Sequence, residues 1–243
     1  MAEGGHVVRR LLASPLDVLS VLATAEWLEA LEPELERRGG ELNVYLAPRR
    51  ELEKIVGFAL HQGVMAVGRI PPQPDLVSLV KAAARPRLVV ALDGVTNPEN
   101  VGVIVRTAAG FGAVAVVTGE TAASPWLRRA VRNSMGTVFG LSARRVGDLG
   151  ATLVALQQGC GLRLVAAALG GKAVWDAGLA GDCCVVLGHE GYGLRPEIAA
   201  ACDEVVTVPM PAGVDSLNVA SAAAVVLYEV RRQQRGVGSP AVS

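Results

Sequence analysis

Apolar and polar positions follow two kinds of pattern along this chain. From residue 87 onward, short apolar runs rich in β-branched residues recur at 88–92, 113–117, 162–166, 183–187 and 204–208. Segments with helical spacing separate most of them, most clearly 100–110, 148–158 and 217–232. Unbroken apolar strands between helices are typical of a mostly parallel sheet that is covered on both faces. We therefore predict an α/β domain over residues 87–235.

The first 70 residues show shorter alternating elements. Helical spacing appears at 7–13, 26–38 and 51–56, and strand-like runs appear at 18–22, 42–46 and 63–67. Prolines at 71, 72 and 74 then interrupt the pattern. The expected organisation is a small α/β unit at 1–70, a linker at 71–86, the larger domain at 87–235 and a flexible tail at 236–243.

Composition and charge narrow the class of protein. Hydrophobic residues make up 51% of the chain and charged residues 19%, and no apolar run reaches the roughly 20 residues that span a bilayer. We expect a soluble chain without a signal peptide. The net charge is zero, but five arginines and no acid lie between 126 and 145. This basic stretch is either an ordinary solvated surface or a contact for phosphates.

Cysteine and histidine usage disfavours metal chemistry. The four cysteines include no C-x-x-C pair, and the three histidines are scattered. Adjacent Cys183 and Cys184 are expected to point to opposite faces of a strand as buried, inert thiols. Unpaired cysteines fit a reducing cytoplasm, where we expect the protein to act.

The common nucleotide and hydrolase motifs do not fit. The string from Gly110 to Ala115 matches G-x-G-x-x-A, but it ends a helix and opens a strand, which is the reverse of the required order. Gly171-Lys172 is not followed by Ser or Thr, and no G-x-S-x-G elbow is present. An unrelated α/β enzyme that acts on a small nucleotide is therefore disfavoured.

Three other segments follow or flank predicted strands, at the edge where open α/β sheets bind ligands. They are D-G-V-T-N-P-E-N-V-G-V-I-V-R-T at 93–107, V-L-G-H-E-G-Y-G-L at 186–194 and V-P-M-P-A-G-V-D-S-L-N-V-A-S-A at 208–222. Asn97-Pro98 predicts a helix start, and Asp215 or Ser216 is expected to cap the last helix. From spacing alone, Asn100 and Arg106 lie on different helix faces, and a purely structural role for each stays open.

Taken together and in this order, the three segments resemble the SpoU/TrmH branch of the SPOUT methyltransferases over roughly residues 87–232. The N-terminal part, with G-G-H-V-V-R-R-L-L-A-S and I-V-G-F-A-L-H-Q-G-V-M-A-V, resembles the small RNA-binding module that precedes the catalytic domain in many of these enzymes. The resemblance implies methyl transfer from S-adenosylmethionine to a ribose 2′-hydroxyl of structured RNA, without a metal. It also implies a C-terminal trefoil knot and an obligate homodimer.

The resemblance also assigns roles to residues of this chain. The implied catalytic residues are Asn100, Arg106, Glu190, Ser216 and Asn218. The implied cofactor-binding residues are Leu187, Gly188, Val208, Met210, Leu217 and Asn218. Arg129 and Ser134 match a region that faces RNA, and the basic stretch adds Arg128 and Arg132 as RNA-binding candidates. Arg106 is expected at an active site assembled at the dimer interface.

Three positions depart from the family pattern. His189 stands where Asn, Ser or Ala is common, Tyr192 occupies a variable position, and Ala212 replaces a usual glycine of the cofactor loop. The two-domain layout favours ribosomal RNA as the substrate. A tRNA methyltransferase, and a non-catalytic RNA-binding or ribosome-assembly protein of the same fold, are the alternatives.

Overall fold

The computed structural model describes residues 1–57, 62–211, 213 and 216–236. The strands of this part are β1 (Ala2–Glu3), β2 (Val18–Ala23), β3 (Asn43–Leu46), β4 (Val64–Gly68), β5 (Leu88–Leu92), β6 (Ala115–Thr118), β7 (Ser142–Arg145), β8 (Arg163–Ala173), β9 (Cys183–Leu187) and β10 (Glu204–Thr207). Its α-helices are α1 (Gly5–Ala13), α2 (Ala25–Arg38), α3 (Arg49–Val56), α4 (Leu76–Ala82), α5 (Pro98–Gly110), α6 (Arg128–Asn133), α7 (Leu149–Cys160), α8 (Pro196–Ala200) and α9 (Val219–Gly236).

The larger sheet has six parallel strands in the order β10-β8-β9-β5-β6-β7. Every residue of the central strands β5 and β9 is buried, as their unbroken apolar sequences require. The parallel α/β class predicted from the sequence is therefore confirmed. Because all six strands run the same way, their carboxyl ends share one edge of the sheet.

Helices cover both faces of this sheet, and the alternation along β5 shows how. Val90 packs in the apolar cluster that contains buried side chains of α5 and α9, such as Ile104 and Val226. Val89 packs on the opposite face with residues of α4, α7 and α8, such as Leu153. Adjacent cysteines of β9 divide in the same way, one into each cluster. The helices that begin at the carboxyl edge are thereby fixed relative to the strands.

The N-terminal sheet has four strands in the order β1-β4-β2-β3. β4 pairs antiparallel with both β1 and β2, whereas β3 is parallel to β2. Helices α1 and α2 pack against each other beside this sheet. The predicted helix and strand positions of this unit agree with the structure to within a few residues, but β1 was not predicted.

The segment expected to be a linker is partly structured. Residues 76–82 form α4, whose buried Leu76 and Val80 belong to the core beneath the larger sheet. Asp75 caps this helix by accepting a hydrogen bond from the Ser78 backbone N–H at 2.7 Å. One cluster of buried apolar residues also extends from α1 into the larger sheet. The two sheets are therefore packed together rather than joined only by a flexible connection.

None of the helices in the described part of the chain is long and apolar enough to cross a membrane. The predicted tail at 236–243 lies outside the described residues except for Gly236, which ends α9.

Candidate active site

A cavity of about 360 Å³ opens at the carboxyl edge of the larger sheet. Its walls come from the middle of β8, the ends of β9 and β10, the loops that follow β9 and β10, and the first turns of α9. The lining includes Ala167, Ala168, Leu187, Gly188, Glu190, Tyr192, Val206, Val208, Met210, Ser216, Leu217 and Val219. The size is within the range of small-molecule sites, and the position is the one that parallel α/β sheets use for ligands.

The loop after β9 is held in one conformation by its own backbone. His189 and Gly193 exchange two backbone hydrogen bonds of 2.9 Å, which close the loop at its base. Gly188 lies directly beneath this closure, and a Cβ there would approach the Gly193 carbonyl carbon to 2.4 Å. Only glycine allows the two backbone segments to come so close. The loop therefore reaches the cavity with its shape already fixed.

An arginine ties the far end of this loop to the neighbouring strands. The Arg195 backbone N–H donates to Asp93 Oδ2 at 2.8 Å, and its Nε donates to Asp93 Oδ1 at 2.7 Å. The same guanidinium donates to Glu120, which follows β6. Asp93 is only 1% exposed, so its charge depends on Arg195 for compensation. Sequence reasoning missed all three residues, although the carboxylate directly after a buried apolar strand was a usable signal.

Three polar side chains form a continuous chain of hydrogen bonds beside the cavity. Asn218 caps α9, since its Oδ1 accepts from the backbone N–H groups of Ala220 at 2.9 Å and Ser221 at 3.4 Å. Its amide nitrogen then donates to Asn100 Oδ1 at 3.2 Å. The Asn100 amide nitrogen in turn donates to Glu190 Oε1 at 2.6 Å.

The helix N-terminus fixes the direction of this chain. Backbone N–H groups can only donate, so the Asn218 oxygen must face them and its nitrogen must face Asn100. That orientation leaves the Asn100 nitrogen to face Glu190, whose carboxylate oxygen accepts. One backbone feature of α9 thereby determines how both amides and the carboxylate are presented.

Most of the residues expected at the site are brought together. Leu187, Gly188, Glu190, Val208, Met210, Ser216 and Leu217 line the cavity. Asn100 joins them through its hydrogen bond to Glu190, and Asn218 through its hydrogen bond to Asn100. The expected cap of the last helix was wrong, because Asn218 makes the capping bonds and Ser216 lies two residues before it. Asp215, the other expected cap, and Ala212 lie outside the described residues.

Arg106 is not brought to the cavity within one chain. It lies on the exposed side of α5, two turns from Asn100, and has no hydrogen-bond or ion-pair partner among residues 1–57, 62–211, 213 and 216–236. Val103 precedes it by three residues on the same helix face and is 38% exposed. On the adjacent α9, Val225 is 40% and Tyr228 59% exposed. Arg106 thus belongs to a partly apolar surface formed by two packed helices.

The basic stretch is less available than expected. Arg128 donates to Glu3 of the N-terminal sheet, and Arg132 lies 3.6 Å from the other oxygen of that carboxylate. Glu3 is only 3% exposed, so these arginines compensate a buried charge at the contact between the two sheets. Arg128 and Arg132 are therefore both engaged by Glu3 of the N-terminal sheet, and a contact of either with RNA stays a prediction.

Ser134 and Arg129 have opposite environments. Ser134 is fully buried, and its hydroxyl donates to the Val131 carbonyl at 2.7 Å and accepts from the Gly136 N–H at 3.2 Å. The predicted RNA contact of the Ser134 side chain does not fit this structure, because the side chain is buried. Arg129 is exposed and has no side-chain partner in the described part of the chain. The N-terminal half of the stretch therefore offers Arg129 to solvent, next to two arginines that are paired.

The thiols are protonated at neutral pH. Burial raises the pKa of Cys183 to about 12 and that of Cys202 to about 11. Burial also raises the pKa values of Cys160 and Cys184. Among the described residues, no group of three or more His, Cys, Asp or Glu side chains is arranged to hold a metal ion.

The fold and the cavity together define an α/β protein with a preformed small-molecule site at its strand ends. A sequence model described as the SpoU rRNA Methylase family matches residues 87–228. An uncharacterized tRNA/rRNA methyltransferase of Mycobacterium bovis is 37% identical over 98% of this chain and 82% of its own length. The chain belongs to the SpoU rRNA methylase family, as the resemblance in its sequence predicted.

Solved structures share the whole fold. The SpoU methyltransferase AviRb from Streptomyces viridochromogenes, in complex with the cofactor AdoMet, superposes with a TM-score of 0.81 at 27% identity, covering 98% of this chain and 90% of that one. An RNA 2′-O ribose methyltransferase superposes with a TM-score of 0.75 at 27% identity, covering 96% and 88% of the two chains. The similarity therefore includes the N-terminal unit as well as the larger sheet.

Proposed function

We propose that this protein transfers the methyl group of S-adenosylmethionine to a ribose 2′-hydroxyl of RNA, with ribosomal RNA as the favoured substrate. The observation that carries the proposal is the hydrogen-bonded chain Asn218–Asn100–Glu190 at the mouth of the preformed cavity. It brings together residues from three separate segments at the place where a bound cofactor would meet a second substrate.

The cavity fits S-adenosylmethionine in size and chemistry. A volume of about 360 Å³ with apolar walls and several small residues suits a nucleoside, and exposed backbone groups at the strand ends can bind its polar edge. Leu187, Gly188, Val208, Met210 and Leu217 would surround the cofactor. Glu190 is the acidic side chain in the described lining, and its charge complements a sulfonium. The cofactor supplies an electrophilic methyl carbon attached to that sulfonium.

The chain's own residues have to orient the ribose and stabilise its oxygen. In the reaction the 2′-oxygen forms a bond to the methyl carbon while the carbon–sulfur bond breaks, sulfur keeps the electron pair, and the hydroxyl proton leaves. Asn100 and Glu190 are held at hydrogen-bonding distance and are suited to orient the ribose. Ser216 borders the same opening, and Asn218 holds Asn100 in place by a hydrogen bond of 3.2 Å. A positioned hydroxyl close to the methyl carbon needs little further activation.

Arg106 acts from a partner subunit in this proposal. An arginine is protonated at any physiological pH, so it cannot serve as an ordinary base. Its guanidinium can instead bind the adjacent phosphate and stabilise the developing alkoxide, and the phosphate can assist in taking up the proton. The exposed Val103, Val225 and Tyr228 around it favour a homodimer that buries this surface and brings Arg106 to the neighbouring site. The trefoil knot likewise stays a prediction from family membership.

RNA binding in this proposal depends on Arg129 rather than on the whole basic stretch. Arg129→Ala should lower the slope of log affinity against log salt by about 1 and leave thermal stability unchanged. Arg128→Ala is the matched comparison, since it removes the partner of buried Glu3 and should lower the melting temperature. An unchanged salt slope in Arg129→Ala would assign that residue to the ordinary surface.

Methyl transfer to isolated RNA tests the function directly. The purified chain is incubated with radiolabelled S-adenosylmethionine and total RNA from cells whose own copy of the gene is deleted, and the products are digested to nucleosides. We expect label in a 2′-O-methylnucleoside of ribosomal RNA. Label in tRNA would change the substrate, label on a base would change the reaction, and cofactor binding without transfer to any RNA would favour the non-catalytic alternative.

Arg106→Lys tests the role of the guanidinium within the same assay. Lysine keeps the charge but loses the bidentate geometry, so RNA binding should persist while turnover falls by about 100-fold. Near-normal turnover of Arg106→Lys would remove the proposed role. The dimer is checked by light scattering, and a monomer that is fully active would remove the partner contribution.

A further inference from the structure

The tip of the loop after β9 carries an aromatic pair that the reaction described above does not use. Besides the two backbone bonds at its base, His189 Nδ1 accepts hydrogen bonds from the backbone N–H groups of Gly191 at 2.9 Å and Tyr192 at 3.3 Å. Since Nδ1 is an acceptor, the neutral ring carries its proton on Nε2. The imidazole is therefore held in one orientation by the turn that it supports.

Tyr192 projects from this fixed turn into solvent. Its residue is 90% exposed, and its ring centroid lies 4.8 Å from that of His189 with an angle of 38° between the ring planes. Both residues also line the cavity, on the same loop as Glu190. An aromatic ring at this exposure contributes little to the stability of the fold. The loop thus presents a positioned aromatic surface at the opening of the active site.

We propose that Tyr192, supported by His189, stacks on a nucleobase of the RNA substrate, at or next to the nucleotide whose ribose is methylated. This inference rests on the proposed RNA methylation and adds a residue that positions the RNA. Unpaired bases are commonly recognised by stacking on aromatic side chains, and any base offers a face for it. Both rings lie on the same loop as Glu190, which is one of the residues that would orient the ribose.

The charge of the loop favours a base over the phosphate backbone as the group that lies there. Glu190 stands two residues before Tyr192, and its carboxylate repels a phosphate but not a neutral base. The base attached to the reacting ribose, or the next one, is the uncharged part of the substrate that can reach Tyr192.

Substitutions at Tyr192 separate stacking from simple apolar contact. Tyr192→Phe and Tyr192→Trp keep an aromatic face, Tyr192→Leu keeps apolar bulk without it, and Tyr192→Ala removes both. Because residue 192 is exposed, all four variants should fold, which thermal unfolding checks. With ribosomal RNA from cells that lack the protein as acceptor, kcat/KM for RNA should fall by about 5- to 150-fold in the Leu and Ala variants, equivalent to the roughly 1 to 3 kcal/mol of one stacked base. The Phe and Trp variants should stay within about 3-fold of the parent.

Several outcomes overturn the inference. Equal activity of the Leu and Phe variants would reduce the contact to apolar packing, and full activity of the Ala variant would remove it. A parallel loss of S-adenosylmethionine affinity, measured by calorimetry, would show that Tyr192 covers the cofactor, and dissociation of the dimer would show that a second copy packs on it. If the parent protein methylates no RNA, the proposed function itself fails, and the RNA affinities of the same variants then decide on stacking alone: equal affinities of the Ala variant and the parent would overturn it.

Discussion

Replacing Gly188 by alanine tests whether the closed loop after β9 shapes the cofactor cavity. The added Cβ would lie 2.4 Å from the Gly193 carbonyl carbon and 2.6 Å from the Leu194 nitrogen, whereas ordinary contact begins at 3.4 Å. The two backbone segments must therefore separate by about 1 Å. That displacement lengthens the two 2.9 Å bonds between His189 and Gly193 beyond hydrogen-bonding distance.

The expected magnitude follows from those two bonds. At about 1 kcal/mol each, the loss of both bonds should destabilise the closed conformation of the loop by about 2 kcal/mol. If S-adenosylmethionine requires that conformation, its dissociation constant should rise by about 30-fold in Gly188→Ala. The melting temperature should fall by about 4 to 8 °C for a chain of this length. Calorimetric titration with the cofactor and a thermal scan measure the two effects separately.

The same loop supplies a matched control. A Cβ at Gly191 would meet its nearest atoms, in the His189 ring, at 3.7 Å, and the backbone there has no left-handed φ that would strain an alanine. Gly191→Ala should therefore bind the cofactor within about 3-fold of the parent. The reasoning is refuted if Gly188→Ala binds as tightly as the parent, or if the two alanine variants lose affinity equally.

Three further predictions concern charges and thiols. Arg195→Gln should lower the free energy of unfolding in urea by about 3 kcal/mol because it leaves the buried carboxylate of Asp93 uncompensated. The control Arg69→Gln, in an ion pair that is largely exposed, should cost less than about 1 kcal/mol, and equal losses would contradict this. Hydrogen bonds from Arg232 lower the pKa of Glu229 in the folded state. The contribution of this carboxylate to the stability of the fold is therefore complete above the usual value of 4.5 and is lost as the pH falls through the lower folded-state pKa. Glu229→Gln should flatten the acid-side decline of Tm, and an unchanged profile would refute the coupling. A chromogenic disulfide reagent at neutral pH should react slowly with the native protein, because burial raises the pKa values of its thiols, that of Cys183 to about 12. In denaturant the same reagent should react readily with all four cysteines. Rapid labelling of the native protein would contradict the burial.

The elements that sequence reasoning located best are those whose environment is uniform. β5 and β9 were predicted with the observed bounds, since strands buried on both faces must be apolar throughout. The elements that were missed carry other signals. β7 has the sequence Ser-Ala-Arg-Arg at a sheet edge, and α4 begins one residue after a proline-rich stretch that indicated only a linker. Pairing with a neighbour, not local pattern, decides their structure.

The candidate site was predictable to the extent that it is built from local motifs. Glu190, Asn100 and Asn218 lie in segments whose order along the chain identified the family, and the structure places them in one hydrogen-bonded chain. The pairing of Arg128 with Glu3 could not be read from the sequence, because the two residues are 125 positions apart and neither lies in a recognisable motif. Ion pairs between residues so far apart along the chain cannot be predicted from local sequence.

The fixed donor and acceptor directions of the Asn100 and Asn218 side-chain amides have a practical consequence for stored protein. Hydrolysis of the Asn100 side chain to a carboxylate, a slow ageing reaction of asparagine that heat accelerates, would leave two acceptors facing each other where a 2.6 Å bond now joins donor and acceptor. The same change at Asn218 would remove the donor toward its neighbour while leaving the helix cap intact. Old or heated preparations should thus become inactive while still folded, and a mass increase of one dalton, rather than a melting curve, is the appropriate quality check.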